Sequence, residues 1–117
     1  MDEKKIVFFA FNPEPACFVH VLLNALDYDD KGVHVKIVVE GPATKLVPVL
    51  DNGGHKFSKL FKKAREKELI AGVCKACSNV MGVLDDVKST GLELLGEMSG
   101  HPGMAGFSEQ GYEIITI

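Results

Sequence analysis

At 117 residues, with 46% hydrophobic side chains, three cysteines and a formal charge of −3, the chain is sized for one domain that buries a real core without disulfide or metal staples. Thirteen basic residues against sixteen acidic ones disfavour general nucleic-acid binding, and the only strongly basic stretch is the short one from Lys56 to Lys67. Apolar runs such as IVFFAF fall far short of the roughly 20 residues of a spanning helix, and MDEKKIVFF is followed by no small-residue cleavage site. No membrane partner is expected, and the setting reads as cytoplasmic and reducing.

Ile6 to Phe11 is continuously apolar and aromatic, which predicts a first strand buried on both faces. EPACFVHVLLNALDYDDKG then places Phe18, Leu22, Ala25 and Leu26 at helical spacing, with Pro15 in the first turn and Gly32 after the last. VHVKIVV, from Val33 to Val39, is a second strand, so the chain opens with a βαβ unit and a parallel sheet. Two helical segments follow: ATKLVPVLD, weakened by Pro48, and HKFSKLFKKAREKEL, with DNGG as the break between them. In the second of these Phe57, Leu60, Phe61 and Ala64 share a face, and the lysines form its wet side.

LIAGV reads as a third strand, CSNVMG as one or two helical turns, LELLG as a fourth strand and YEIITI as a fifth. Alternation throughout predicts a single three-layer α/β/α domain over residues 1–117, with a mainly parallel sheet of about five strands and a Rossmann-like topology. In such a sheet ligands approach beyond the carboxyl ends of the strands. That rule nominates NPEP, EGPA, CKAC and GEMSGHPGM, the loops after strands one to four.

The pair Cys74 and Cys77, in AGVCKACSNVMGV, therefore falls where a functional group belongs. A cysteine at a helix N-terminus faces unsatisfied N–H groups and the positive end of the dipole, which favour thiolate, and Lys75 could add to this. The bland alternative is that both cysteines are small hydrophobes packed in the interior. Dithiol exchange of the thioredoxin kind is a rival, although no Trp or Pro flanks the pair. Zinc needs four ligands, of which C-x-x-C supplies two; Cys17 and one of His20, His55 or His101 could complete a site only by converging from separate loops.

His20, close to the apolar stripe of the first helix, reads as a core or rim residue and His34 as solvated, while His101 lies within possible reach of Cys74. GHPGMAG lacks the G-x-x-x-x-G-K-[ST] phosphate loop, and no G-x-G-x-x-G follows strand one. No cofactor and no resident metal is expected.

KKIVFFAF at the start, VHVKIVVEGPA, AGVCKACSNVMGV and the closing GYEIITI together span nearly the whole chain, and in their order and spacing the sequence resembles the DsrE/DsrF-like family of small sulfur-relay α/β proteins. The resemblance implies a sulfur carrier that holds sulfane sulfur as a persulfide on Cys74, with Cys77 as an accessory thiol, sulfur donor and acceptor proteins as partners, and a homo-oligomeric state. Because fold does not deliver function, a non-catalytic binding or assembly module with packed cysteines is the alternative. Oligomerisation is also suggested by Met98, Met104 and Phe107, apolar residues in a glycine-rich segment with no evident core partners. If Cys74 sits at the strand–helix junction, its sulfur should be partly accessible with Cys77 within reach, and Cys17 should be buried and uninvolved.

Overall fold

The computed structural model describes residues 3–117, so the first two residues of the expected 1–117 domain lie outside the described residues. Five strands form one sheet: β1 (Lys5–Ala10), β2 (His34–Val39), β3 (Ile70–Cys74), β4 (Leu94–Leu95) and β5 (Glu113–Thr116). Their order is β4-β3-β2-β1-β5 and every pairing is parallel. The helices are α1 (Pro15–Asp30), α2 (Leu46–Asp51), α3 (Ser58–Glu66), α4 (Lys75–Val80), α5 (Leu84–Ser89) and α6 (Ala105–Glu109), with a 3-10 turn at Gly41–Lys45 leading into α2.

The layering follows from chain direction. From β1 through β4 the chain steps one way across the sheet, and right-handed crossovers put the intervening helices on one face. The last connection runs back to the far edge, which puts α6 on the other face and completes the α/β/α arrangement expected from the sequence. Strand β1 serves both layers through the alternation of its side chains. Ile6, Phe8 and Ala10 enter a large core with Phe18 and Leu22 of α1, Val47 of α2 and Phe61 of α3. Val7 and Phe9 enter a smaller one with Val38, against Phe107 and Tyr112. Phe9, Phe18 and Phe61 are fully enclosed, each worth about 1.5–3 kcal/mol relative to exposure.

Pro48 does not prevent α2, because it occupies the third position, where a missing N–H costs little. Lys59, Lys62 and Lys63 lie on the exposed side of α3 as expected. The structure departs from the expectations at five points. The fourth strand is only two residues long, and α5 and α6 occupy segments to which the sequence reading assigned no helix. His20 lies on the exposed side of α1 rather than at the core or its rim, and Cys17 is half-buried rather than buried. Phe107 does have a core partner, stacking edge-on with Phe9 at 5.7 Å between ring centroids. Met98 and Met104 stay exposed.

Strand β4 exists because Gly72 carries no side chain. A Cβ there would sit 2.6 Å from Leu95 Cγ and 2.8 Å from the Glu93 carbonyl oxygen. That close approach lets Val73 pair with Leu94 and Cys74 with Leu95, and it fixes where the loop after β4 begins.

Candidate functional site

Register builds the site. Val39 of β2 pairs with Val73 of β3, so the next residues, Glu40 and Cys74, emerge side by side at the carboxyl ends of adjacent strands. Cys74 is also the N-cap of α4: its Sγ accepts the Cys77 N–H at 3.3 Å. Ser78, one turn further, is enclosed and donates its hydroxyl to the Cys74 carbonyl at 2.7 Å.

The loop after β4 closes the site from above. Met98 and His101 exchange two backbone hydrogen bonds, and Glu97 Oε1 accepts the Gly103 N–H at 2.8 Å. That N–H holds the Glu97 carboxyl below its usual range. The loop is tied to α4 by the Gly100 carbonyl, which accepts the Ala76 N–H at 2.8 Å and so satisfies an otherwise unpaired donor of the helix's first turn. Gly100 has φ +91°, and a Cβ on it would come within 3.1 Å of the Ala76 Cβ, so the approach requires glycine. His101 is thereby lowered onto the thiols, its Nδ1 lying 3.2 Å from Cys74 Sγ and 3.5 Å from Cys77 Sγ.

Glu40, Cys74, Cys77 and His101 thus converge, each offering a ligand atom within 4.8 Å of the others. Cys74 is wholly buried and Glu40 nearly so, while Cys77 and His101 are half-buried and form the outer rim. The sequence expectation of a partly accessible Cys74 is corrected: the loop carrying Gly100 and His101 covers its sulfur. So is the expectation of a lowered pKa. Burial first, then the adjoining Cys77 thiol, push the Cys74 thiol up to about 12, outweighing the Cys77 N–H that favours thiolate. Lys75 is exposed to solvent. Burial likewise raises the Glu40 carboxyl above its usual value, partly offset by its hydrogen bond with Cys74 and by His101.

The structure brings together Cys74, Cys77 and His101, and leaves Cys17, His20, His34 and His55 outside the cluster. His34 instead faces Glu3 at 3.0 Å, at the surface. Glu40 is the member that residue-by-residue reading passed over, although it begins EGPA, one of the nominated loops. Its signal is a carboxylate directly after an apolar strand, where burial in a neighbouring strand's register is the only alternative to solvent. A concavity of about 700 Å³ between α2 and α3 is lined by residues such as Asp51, Phe61 and Arg65 and includes none of the four.

Chemically the arrangement offers two thiols, one solvent-facing and one sheltered, with an imidazole nitrogen that can take a proton from either. It also offers four donors of the types that bind borderline-soft cations. Among the described residues no helix is long and apolar enough to cross a membrane. No family model matches the chain, and no solved structure matches it. The chain is similar to an uncharacterized protein of Methanocaldococcus jannaschii, MJ0733, at 29% identity over 97% of this chain and 95% of that one. It is also similar to an uncharacterized protein of Archaeoglobus fulgidus, at 32% identity over 53% of this chain and the whole of that one. The chain belongs to one family with the Archaeoglobus protein.

Proposed function

We propose that the protein is a sulfur carrier that holds sulfane sulfur as a persulfide on the Cys74–Cys77 pair. The observation that supports this reading is the convergence of both thiols on one imidazole nitrogen at the carboxyl ends of the parallel strands. The resemblance to the DsrE/DsrF-like family, whose cysteine follows the third strand, points the same way.

Burial divides the work between the cysteines. Cys77, the half-buried thiol, meets the donor; His101 Nδ1 accepts its proton. The Cys77 thiolate attacks the outer sulfur of a donor persulfide, the donor's S–S bond breaks as a new one forms on Cys77, and the donor leaves as a thiolate. Cys74 then repeats the step from within: as its sulfur takes the outer sulfur, its proton passes by way of His101 Nδ1 to the departing Cys77 sulfur, which returns to thiol. Sulfur held on Cys74 is sheltered by Gly100 and His101 until an acceptor thiolate draws it out by the reverse sequence. No oxidant or reductant is consumed, because each transfer exchanges one S–S bond for another.

The test is mass spectrometry of reduced, chelator-treated protein after incubation with a low-molecular-weight persulfide. A gain of one sulfur per chain, mapped to the peptide holding Cys74 and Cys77, is the expected result. Protein that gains no sulfur, with both thiols inert to alkylation, would instead favour a non-catalytic binding or assembly module with packed cysteines.

The carrier is further proposed to work as a cytoplasmic homo-oligomer with donor and acceptor proteins as partners. Exposed Met98 and Met104 support self-association. Light scattering at micromolar concentration should report more than one chain per particle; a monomer would count against it.

A further inference from the structure

Independently of the sulfur reading, we infer that Glu40, Cys74, Cys77 and His101 form a binding site for a borderline-soft divalent cation such as zinc. Three observations carry it. The first is geometric. A tetrahedral zinc with Zn–S of about 2.3 Å and Zn–N of about 2.0 Å has S···N edges of about 3.5 Å and S···S edges of about 3.8 Å. The two S···N separations are 3.2 and 3.5 Å, and all four donors lie within 4.8 Å of one another. Side-chain shifts of about 1 Å at the widest pair would complete the tetrahedron.

The second is chemical. Two thiolates and an imidazole select zinc, iron or cobalt over magnesium and calcium, which prefer all-oxygen ligands. The third is the state of Glu40. It is nearly enclosed, and among the described residues no salt bridge involves it; the half-buried imidazole of His101, itself one of the four donors, offsets its charge only in part. A cation would supply the missing charge. The surroundings also suit coordinated thiolates: the Cys77 N–H already points at Cys74 Sγ, an outer contact that favours sulfur carrying negative charge. His101 is held in place by the paired backbone bonds with Met98.

A bound cation would occupy both thiols, so the metal-loaded and sulfur-loaded forms exclude one another. The experiment uses the full chain, reduced and kept anaerobic, titrated with Co(II) as the spectroscopic probe and then with Zn(II). One cobalt per chain is expected, with the intense visible bands of a tetrahedral ion, a thiolate-to-cobalt charge-transfer band in the near ultraviolet, and displacement of both by zinc. Cys77→Ser should lose about half of the charge-transfer intensity, since one of two thiolates is gone. Glu40→Gln and His101→Ala, checked for native circular dichroism, should each weaken cobalt binding at least tenfold. Weak octahedral bands in the wild type, no stoichiometric uptake, or an affinity unchanged in Glu40→Gln and His101→Ala would each overturn the inference. Sulfur loading is measured on chelator-treated protein, so either reading can fail without the other.

Discussion

The Nδ1 of His101 lies 3.2 Å from the Sγ of Cys74, although 27 positions of chain separate the two residues. Three local features produce this contact: the side-chain-free surface of Gly72, which admits β4; the loop of Gly96 to His101, closed by the Met98–His101 pair; and the anchor from Gly100 to Ala76. The imidazole is therefore placed by backbone geometry rather than by its own packing.

If His101 relays the proton of the solvent-facing thiol, His101→Ala should slow alkylation of Cys77 by iodoacetamide about tenfold near neutral pH. General base catalysis in enclosed sites is worth about 10²–10⁴. Cys77 is half-buried, so water replaces the imidazole in part and the loss is smaller. Rates are followed by mass, with Cys77→Ser giving the background. Equal rates in wild type and variant would remove His101 from proton transfer.

Gly100→Ala should destabilise the protein by about 1–2 kcal/mol, because φ +91° is costly for any residue with a Cβ and that atom meets Ala76 at 3.1 Å. The loop must then lift, so Cys74 should become reactive toward alkylating agents that do not reach it in the wild type. Thermal unfolding and the alkylation pattern of the Cys74 peptide report the two effects separately. Adding Ala76→Gly removes the steric clash but leaves the backbone strain, and should restore only part of the lost stability.

Glu40 and Cys74 both have folded-state pKa values raised by burial, and the consequence has one sign for both. The folded chain holds their protons more tightly than the unfolded chain does. Stability from Glu40 is therefore complete below the ordinary carboxyl value of 4.5 and is lost as pH rises through the raised value. Glu40→Gln should accordingly gain stability relative to wild type at pH 7 in metal-free protein, and the gain should vanish at lower pH. For Cys74 the loss falls between the ordinary thiol value of 9.0 and about 12, so Cys74→Ser should flatten the alkaline decline. Urea midpoints across the pH range test both; wild-type-like profiles in the two variants would contradict the burial account.

The strands were legible where burial on both faces leaves an uninterrupted apolar run, as in Ile6 to Ala10, and where β-branched residues crowd a segment, as in Val35 to Val39, which only Lys36 interrupts. Cys74 was legible for a related reason, since the boundary between an apolar strand and a polar helical turn marks the carboxyl edge of the sheet. Helices α5 and α6 were not. One fully buries only Val87 and the other only half-buries Phe107, so neither imprints an apolar period on the sequence. Glu40 and the burial of Cys74 were hidden because both depend on strand register and on a loop that returns from 22 or more residues away. Only the assembled sheet places a carboxyl beside a thiol there.

The two clustered cysteines differ in access but share an imidazole, and under the carrier proposal this orders the effects of their removal. Cys77 meets solvent while Cys74 is wholly buried, so a donor persulfide in solution reaches Cys77 first. Cys77→Ser should therefore reduce sulfur loading by at least tenfold, even though Cys74 is intact. Cys74→Ser should still load, on Cys77, but that sulfur lacks the shelter of the Gly100–His101 loop and should be lost to added thiol several times faster than from wild type. Cys17→Ser, on α1 and outside the cluster, should leave both loading and lifetime unchanged. The measurement is the persulfidated fraction by intact mass, over time, before and after addition of a small thiol. Loading in Cys77→Ser at the wild-type rate would require the loop over Cys74 to open faster than the donor reacts, and would return the receiving role to Cys74, where the sequence alone placed it.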